Sequence, residues 1–325
     1  MTRDAAGCAG FVRGGLETIV TAASVESARR YLAGAVAARR KDVAELERKL
    51  VVGLVGRGIQ ASRTPRMHEL EGGRIGLDYA YLLIDFDTLS LADSDLAAII
   101  ETAEALGFAG LNVTFPFKQA VLPLLDDVAP EAAAIGAVNT VVLSHGRRTG
   151  HNTDCWGFAE SFREGLAEVD LESVVQFGAG GAGAAVGHAL LSLGVKQLTL
   201  CETDIAKALQ LAERLSERFA VPVLTEPDSV RALGKASGIV NTTPVGMDKF
   251  PGVPFDEAAL RPDHWVAEII YFPPETALLR RASALGCRTL AGTGMAVYQA
   301  VKAFELFTGI PPDRAAMTEH FRTAA

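Results

Sequence analysis

The sequence predicts an α/β protein of two domains, and three observations support this fold class. The chain has 325 residues, and roughly 100–200 residues make one domain. From Val51 onward, short apolar strands alternate with amphipathic helices, a pattern typical of a mostly parallel sheet covered by helices. A complete strand–turn–helix–strand unit occupies residues 173–202. We therefore expect one α/β domain before this unit and a second domain built around it.

Composition excludes several classes of protein. Hydrophobic residues make up 49% of the chain, which is enough to build two cores. The net charge of -8 argues against a nucleic-acid partner, and the lack of a long apolar stretch argues against a membrane partner. The four cysteines form no CxxC pair and the six histidines show no metal-ligand spacing, so we expect no disulfide framework and no metal. Together with the weak apolar patch near the N-terminus, these features predict a cytoplasmic protein.

The first fifty residues differ in sequence pattern from the rest of the chain. Residues 1–23 show no periodicity and are predicted to be a loose tail. Residues 24–50 predict one amphipathic helix capped by Ser24, because apolar residues recur at three- and four-residue steps. The pairs Glu26–Arg30 and Glu45–Lys49 support it at i,i+4 spacing. We interpret this helix as a docking or extension element without chemistry.

The remaining elements follow in chain order. Strands are expected at 51–55, 79–84, 110–114, 138–143, 238–241 and 265–270, besides the two strands of the central unit. Helices are expected at 91–107, 205–219 and 294–308, besides the helix of the central unit. Gly107 stands where glycine commonly ends a helix.

The turn of the central unit is a complete G-x-G-x-x-G pattern. It consists of Gly178, Ala179, Gly180, Gly181, Ala182 and Gly183. The pattern follows an apolar strand and opens an Ala/Leu-rich helix, which is the context that the motif requires. Its glycines let the backbone approach a pyrophosphate, and the helix N-terminus offers free N–H groups. This context favours a dinucleotide-binding Rossmann domain over an ordinary glycine-rich turn.

The end of the unit's second strand indicates which dinucleotide is bound. Glu202 stands 24 residues after Gly178, near the place where an acid bonds the ribose 2′-hydroxyl in NAD-binding folds. No arginine is present at this strand end, and a 2′-phosphate beside Glu202 would meet a like charge. The pattern favours NAD over NADP, and the alternative is a solvent-exposed acid at a strand end.

Three polar segments in the first half suit a small polyhydroxylated acid. They are SRTP (62–65), NVTFPFK (112–118) and GHNTD (150–154). The first two follow predicted strands, and open α/β sheets place ligands beyond the carboxyl ends of their strands. Ser62 and Thr64 could instead cap the helix entered at Pro65.

With these motifs in place, the chain resembles the shikimate/quinate dehydrogenase family from about Val51 to Thr308. The matching segments, in the family's order, are VGRGIQASRTPRMHE, GLNVTFPFKQ, IGAVNTVV, GHNTDCWGF, GAGGAG, NTTPVGM, EIIYFPPET and GMAVYQAVKAFELFTG. The resemblance implies an oxidoreductase with an N-terminal α/β substrate domain and a Rossmann domain. We predict an extension at 1–50, a substrate domain at 51–154 and 294–325, and a cofactor domain at 155–293, with the active site in the cleft between them.

The resemblance also implies roles for single residues. Lys118 and Asp154 resemble the family's catalytic pair. The other matches are the carboxylate-binding residues Ser62 and Thr64, the substrate hydroxyl ligands Thr114, Asn139 and Gln299, the aromatic Tyr271, and the nicotinamide-pocket residues Thr243, Met247 and Gly294. Two other interpretations stay open: Asp154 could cap the helix near Trp156, and Gln299 could lie on a solvated helix face.

Departures from the family's pattern bear on specificity. NADP-using relatives carry Asn-Arg-Thr/Ser at the second strand's end, whereas this chain has Cys201-Glu202-Thr203. The segment Ser62-Arg63-Thr64 resembles the NAD-dependent quinate/shikimate branch rather than the S-x-S pair of common shikimate dehydrogenases. A smaller change is Glu268, where the family usually has Asp.

The sequence therefore predicts NAD-dependent oxidation of the C3 hydroxyl of quinate, shikimate or both. The alternatives are an NADP-dependent biosynthetic shikimate dehydrogenase and a cofactor-binding regulatory paralogue without turnover. The sequence leaves open the preferred acid, the physiological direction, the purpose of the N-terminal helix and the oligomeric state, for which a homodimer is one candidate. It also leaves open whether Lys118 or Asp154 holds the proton.

Overall fold

The computed structural model describes residues 13–41 and 49–323, with side chains described at 24–38 and 49–323. Two six-stranded sheets follow each other along the chain, and helices pack on both. This arrangement confirms the two-domain α/β prediction. None of the helices within the described ranges is long and apolar enough to cross a lipid bilayer.

The first sheet combines parallel and antiparallel pairing. Its strands are β1 (Lys49–Gly56), β2 (Asp78–Asp85), β3 (Gly110–Val113), β4 (Asp127–Val128), β5 (Thr140–Ser144) and β6 (Arg147–His151). Their order is β2-β1-β3-β5-β6-β4. β1 pairs in parallel with β2 and β3, whereas β5 runs antiparallel to β3 and β6. Because the second and third strands lie on opposite sides of β1, a crevice opens where β1 and β3 end.

The second sheet is entirely parallel. Its strands are β7 (Val174–Phe177), β8 (Leu198–Cys201), β9 (Val223–Thr225), β10 (Gly238–Asn241), β11 (Trp265–Glu268) and β12 (Arg288–Leu290). The order β12-β11-β10-β7-β8-β9 places β7 and β10 side by side at the centre, with later strands progressing outward in both directions. This is the doubly wound order of the Rossmann fold, whose ligand crevice lies where its two halves meet.

Eleven helices lie within the described residues. They are α1 (Arg13–Lys41), α2 (Thr64–Arg74), α3 (Leu96–Ala105), α4 (Pro130–Ile135), α5 (Thr153–Gly165), α6 (Gly181–Ser192), α7 (Ile205–Phe219), α8 (Ser229–Leu233), α9 (Ala277–Ala284), α10 (Thr293–Thr308) and α11 (Arg314–Thr323). The bounds of α7 and β10 coincide with the predicted ones. Strand β6 was missed because its residues, Arg147–His151, are mostly polar, and it forms by pairing with β5 and β4.

The N-terminal prediction was partly wrong. The helix begins at Arg13 instead of Ser24, and Lys49 and Leu50 belong to β1, where they pair with β2. An apolar residue such as Leu50 fits a helical stripe and a buried strand equally well, so periodicity alone misplaced it. The predicted tail at 1–12 and the predicted helical residues 42–48 lie outside the described residues.

The described part of α1 docks as the sequence predicted. Ala28, Leu32 and Val36 share one helical face and are buried in the core of the first sheet. Arg29 donates a hydrogen bond from Nε to Thr102 Oγ1 of α3 at 3.1 Å. These contacts hold the extension on α3, on the side of the first domain's core.

Helix α5 joins the two halves of the molecule. It packs against α10 and α6, and its residues Phe158 and Phe162 lie in the core of the second sheet. Close packing against α10 depends on Gly157, since a Cβ there would lie 2.6 Å from the backbone nitrogen of Gln299. The predicted domain boundary, between residues 154 and 155, falls in the first turn of α5 and stays a prediction.

We expect Gly157→Ala to destabilise the protein by about 1–3 kcal/mol, because the added methyl group meets backbone that cannot rotate away. Gly73→Ala is the matched control. Gly73 is also helical, but a Cβ there meets nothing within 4 Å, so better helix propensity should stabilise it by about 0.5–1 kcal/mol. Urea unfolding monitored by circular dichroism checks both variants. Equal effects of the two substitutions would contradict the close-packing argument.

Candidate active site

Lys118 and Asp154 form an ion pair in the cleft. Lys118 Nζ lies 2.5 Å from Asp154 Oδ2, and the two side chains are 18% and 8% exposed. They come from different elements, the segment after β3 and the first turn of α5. The structure thus brings together the two residues predicted as a catalytic pair, and their role in catalysis stays a prediction.

Lys118 is positioned by the chain that leaves β3. The Thr114 N–H donates to Val55 O of β1, and the Phe117 N–H donates to Thr114 O. Phe117 is buried, with its ring centroid 4.5 Å from that of Phe86. The carbonyl of Lys118 accepts a hydrogen bond from the Val138 N–H. These contacts anchor the residue before Lys118 in the core and leave the lysine side chain to cross toward α5.

Asp154 is positioned by the cap of α5. The N-cap residue is Asn152, whose Oδ1 accepts from the Cys155 N–H at 3.1 Å and whose Nδ2 donates to Ala137 O. The capping interpretation of Asp154 is therefore wrong, because Asn152 already satisfies the helix terminus. The carboxylate of Asp154 is left to pair with Lys118.

Asn139 supports the same helix start. Its Oδ1 accepts from the Thr153 N–H at 2.7 Å, and its Nδ2 donates to Thr153 Oγ1 at 2.9 Å. Its side chain is buried beneath the residue that precedes Asp154. The structure therefore shows Asn139 positioning α5, and its predicted contact with a substrate hydroxyl stays a prediction.

A buried polar network that the sequence analysis missed lies beneath Asn139. Asn112 donates from Nδ2 to Thr140 Oγ1 at 2.9 Å, and its Oδ1 accepts from the Tyr81 hydroxyl at 2.7 Å. Burial raises the pKa of Tyr81 well above its usual value, so the hydroxyl stays neutral. The signal was available, because a polar Asn112 in an otherwise apolar strand must find partners when buried.

Ser62 and Thr64 lie where α2 begins. The N-cap residue is Arg63, with no side-chain cap, and the Thr64 N–H reaches Ser62 Oγ only at 3.4 Å. The structure therefore gives little support to the capping interpretation of these hydroxyls. Arg63 instead holds the C-terminal helix, donating to Phe321 O at 3.4 Å with its guanidinium over the Phe321 ring.

Tyr271 and Gln299 lie on two other elements, the segment after β11 and helix α10. Burial raises the pKa of Tyr271, the Asp154 carboxylate raises it further, and the Arg63 guanidinium opposes this, so Tyr271 lies within the electrostatic reach of both. Gln299 is half-buried in α10 against Gly157, one turn of α5 beyond Asp154. This placement opposes the interpretation of Gln299 as a solvated face residue.

The glycine turn lies against Lys118. A Cβ built on Gly181 would lie 3.5 Å from Lys118 Cβ, so the first residue of α6 contacts the ion pair's lysine. Gly178 has a φ of 99°, and a Cβ on Gly183 would lie 2.5 Å from Gly178 O. These contacts explain why both positions need glycine. Gly180, the N-cap of α6, has open space above it and no side-chain cap.

The buried Gln176 and the half-buried Thr242 hold the turn in shape, and the sequence analysis named neither. Gln176 Nε2 donates to the carbonyls of Gly178 and Gly183 at 2.8 and 2.9 Å. Thr242, at the end of β10, donates to Phe177 O at 2.7 Å. These hydrogen bonds fix the carbonyl groups of the turn, and the start of α6 has no side-chain cap. This arrangement fits the pyrophosphate of a dinucleotide.

Glu202 faces the same turn. Its Oε2 accepts from the Ala179 N–H at 2.8 Å, and its Oε1 accepts from the Thr203 hydroxyl and the Asp204 N–H. Burial alone would raise the pKa of Glu202, but these hydrogen bonds outweigh it and hold the pKa below its usual value. The carboxylate is therefore charged at neutral pH beside the turn.

The remaining predicted cofactor residues differ in position. Thr243 donates from Oγ1 to Asn241 Oδ1 at 2.7 Å, and Met247 is 38% exposed at the tip of the loop that follows. Gly294 lies at the start of α10, where a Cβ would lie 2.1 Å from Ser161 Oγ. The packing of α10 on α5 thus explains Gly294 as a glycine, and its predicted place beside the nicotinamide stays a prediction.

Glu268 supports the loop that carries Thr243 and Met247. It is buried, and its Oε2 accepts from Asn241 Nδ2 at 3.1 Å and from the Thr276 hydroxyl at 3.3 Å. Asn241 in turn donates to Val245 O. Burial raises the pKa of Glu268 to about 7, although these hydrogen bonds lower it in part.

Two domain models of one protein family match this chain, one in its N-terminal half and one near its C-terminus. The shikimate dehydrogenase substrate binding domain matches residues 54–141, and the shikimate 5'-dehydrogenase C-terminal domain matches residues 292–320. A shikimate dehydrogenase (NADP(+)) of Streptomyces avermitilis is 52% identical over 266 residues, covering 81% of this chain and 91% of that protein. A quinate/shikimate dehydrogenase (NAD(+)) of Corynebacterium glutamicum is 47% identical over 276 residues, covering 84% and 98%.

The fold is also similar to a solved structure. The quinate dehydrogenase from Corynebacterium glutamicum in complex with NAD superimposes with a TM-score of 0.81 at 46% sequence identity, covering 85% of this chain and 99% of that chain. Similar proteins therefore carry names with both cofactors.

The raised pKa of Glu268 predicts a pH-dependent stability. Between about pH 4.5 and 7, the folded chain holds the Glu268 proton and the unfolded chain releases it, so stability falls as pH rises through this window. We expect a loss of about 3 kcal/mol across it from this group. Urea unfolding at pH 5 and pH 7 measures the loss. Glu268→Gln should remove this pH dependence, and Glu275→Gln, at an exposed glutamate, should keep it. An unchanged slope in Glu268→Gln would show that another group titrates.

Proposed function

The chain belongs to the shikimate dehydrogenase family, and from this premise we propose that it is an NAD-dependent quinate/shikimate dehydrogenase. Membership makes it an oxidoreductase that uses a nicotinamide dinucleotide and acts on a small molecule. The proposal goes further in naming NAD and the C3 hydroxyl of quinate or shikimate, oxidised reversibly to the 3-dehydro acid. One observation carries it: Lys118, which pairs with Asp154, lies against Gly181 of the glycine turn.

The ion pair supplies the proton acceptor. A dinucleotide held at the glycine turn would supply the hydride acceptor for this oxidation. The hydroxyl proton must then leave through the protein, and we propose that it passes to Lys118 Nζ while one of the protons on Nζ passes to the Asp154 carboxylate 2.5 Å away. The half-buried position keeps most water away from the transfer.

The start of α2 suits the substrate's carboxylate. Ser62 and Thr64 place two hydroxyls beside a helix N-terminus that has no side-chain cap, and the positive end of the helix dipole there attracts an anion. We assign Thr114, Asn139 and Gln299 to the ring hydroxyls and Tyr271 to the edge of the substrate pocket.

Glu202 supports NAD rather than NADP. Its carboxylate is held charged beside the turn, and a 2′-phosphate there would be repelled. A specific observation favours the alternative, because the 52% identical Streptomyces avermitilis protein is named as an NADP(+) shikimate dehydrogenase. The NADP-dependent biosynthetic enzyme is therefore the second candidate. The intact Lys118–Asp154 pair opposes the third, a regulatory paralogue without turnover.

The proposal includes the location and the partners that the sequence predicts. We propose a cytoplasmic enzyme with a small-molecule substrate and with neither nucleic acid nor membrane as a partner. A homodimer is one assembly state consistent with this function.

We expect Lys118→Ala to lower turnover by about 10²–10⁴-fold, because a positioned proton acceptor contributes that much. NAD affinity, measured by titration calorimetry, should change little, since the glycine turn keeps its own contacts. Lys235→Ala, at an exposed lysine, serves as the control and should keep full turnover. Unchanged turnover in Lys118→Ala would remove Lys118 from the mechanism.

Cofactor and substrate choice are tested by measuring kcat/KM for quinate and shikimate, each with NAD and NADP. We expect higher values with NAD. Glu202→Gln should raise the NADP/NAD ratio about 10-fold, because it removes the charge but keeps an oxygen for the Ala179 N–H. Glu202→Arg should raise it further by attracting the 2′-phosphate. A wild-type preference for NADP would favour the biosynthetic alternative, and a ratio unmoved by both variants would refute the role of Glu202.

A further inference from the structure

Three side chains that the proposed reaction does not use converge between the two sheets. They are Glu131 of α4, Cys155 of α5 and His188 of α6, and their ligand atoms all lie within 4.8 Å of one another. Cys155 and His188 are buried, whereas Glu131 is exposed. From this cluster we propose a binding site for a thiophilic divalent cation of the Zn²⁺ type. The inference does not depend on the proposed function.

The distance between the two buried ligands fits a tetrahedral ion. Cys155 Sγ lies 3.6 Å from His188 Nδ1. An ion bound to a thiolate at about 2.3 Å and to an imidazole at about 2.0–2.1 Å holds these atoms about 3.6 Å apart. The spacing of the pair therefore needs no change on binding.

The contact between His188 Nδ1 and the Cys155 thiol is the hydrogen bond that an ion would replace. Ser192 Oγ lies 3.5 Å from His188 Nδ1, but that hydroxyl donates instead to His188 O at 2.9 Å. Burial lowers the pKa of His188, so the imidazole is neutral, which is the form that ligates metals. The rest of the ring is fixed by an edge-to-face contact with Phe219.

Glu131 completes the set and gives it an entrance. Its carboxylate lies near the Cys155 thiol. Because the side chain is exposed, it can rotate by about 1 Å to bring a carboxylate oxygen to the distance that separates two ligands of one tetrahedral ion. A carboxylate, a thiolate and a neutral imidazole are ligands that Zn²⁺ accepts together, with a water in the fourth position. An ion can thus enter from the surface past Glu131 to reach the two buried ligands.

The surrounding charges also allow a cation. The negative charges of Glu131 and Asp154 lie near the Cys155 thiol, and the positive charge of Arg163 partly offsets them. Near His188, the positive charge of Arg218 disfavours a second positive charge. Burial raises the pKa of the Cys155 thiol, so without an ion the thiol is protonated and is a poor nucleophile. A divalent ion would displace that proton. With one thiolate and one carboxylate, the ion's double charge is balanced.

The position of the site indicates which helices a bound ion would join. α4 belongs to the first sheet's domain, α6 follows the glycine turn, and α5 carries Asp154 next to Cys155. A bound ion would tie these three helices together beside the ion pair.

Titration of the metal-free, cofactor-free full chain with Co²⁺ tests the proposal, because a thiolate bound to Co²⁺ gives an intense charge-transfer band. We expect one Co²⁺ per chain with this band, displaced by one equivalent of Zn²⁺. Cys155→Ser should abolish the band. Glu131→Gln, an exposed substitution that leaves the core intact, should weaken Co²⁺ binding by about 10-fold or more. Cys287→Ser, at another buried thiol, is the matched control and should bind Co²⁺ as the parent does.

Three results would overturn the proposal. They are the absence of a thiolate band at stoichiometric Co²⁺, a band that survives in Cys155→Ser, and an affinity that is unchanged in Glu131→Gln. Near-ultraviolet circular dichroism of each variant shows whether the fold is kept, so a loss in folded Glu131→Gln protein counts for the site even if Cys155→Ser is unstable.

Discussion

The ion pair between Lys118 and Asp154 is the constraint on which the rest of the structure depends. An ammonium and a carboxylate that are only 18% and 8% exposed have lost much of their hydration, and their attraction offsets this loss only in good geometry. That geometry is supplied by neighbours that are themselves fully hydrogen-bonded. Phe117 fixes the lysine's segment in the core, while Asn152 and Asn139 fix the start of the helix that presents the carboxylate.

Helix α5, which carries Asp154, packs against both halves of the molecule and so connects the ion pair to each of them. Its first turn carries Asp154, its next turn contacts α10 through Gly157, and Phe158 and Phe162 anchor it in the second core. Movement of the cofactor domain relative to the substrate sheet would therefore act on the same helix that holds the carboxylate. The cluster of Glu131, Cys155 and His188 lies along this helix as well, so an ion bound there would act on the same joint.

The glycine turn shows how a polar surface can be both rigid and open. Its carbonyls are held from below by Gln176, and its closest approaches leave no room for a Cβ at Gly178 or Gly183. The N–H groups of the following helix are consequently left for a ligand, next to Lys118 and with Glu202 at the side. Charge and shape at this turn are thus set by residues that contact no substrate.

The sequence by itself determined the features that short windows of chain encode. Backbone sterics require glycine at 178 and 183, and periodicity was sufficient to place α7 and β10 at their observed bounds. The polar segments that meet at the cleft were also visible, because each follows an apolar strand. Only the tertiary structure decided how these segments are used: Asn152 rather than Asp154 caps α5, Asn139 is occupied by Thr153, and Leu50 joins a strand. The cluster of Glu131, Cys155 and His188 has no spacing that a sequence motif could reveal, because packing of three helices creates it. Local sterics act between neighbours in the chain, whereas these contacts join residues far apart in the chain and depend on how whole elements pack.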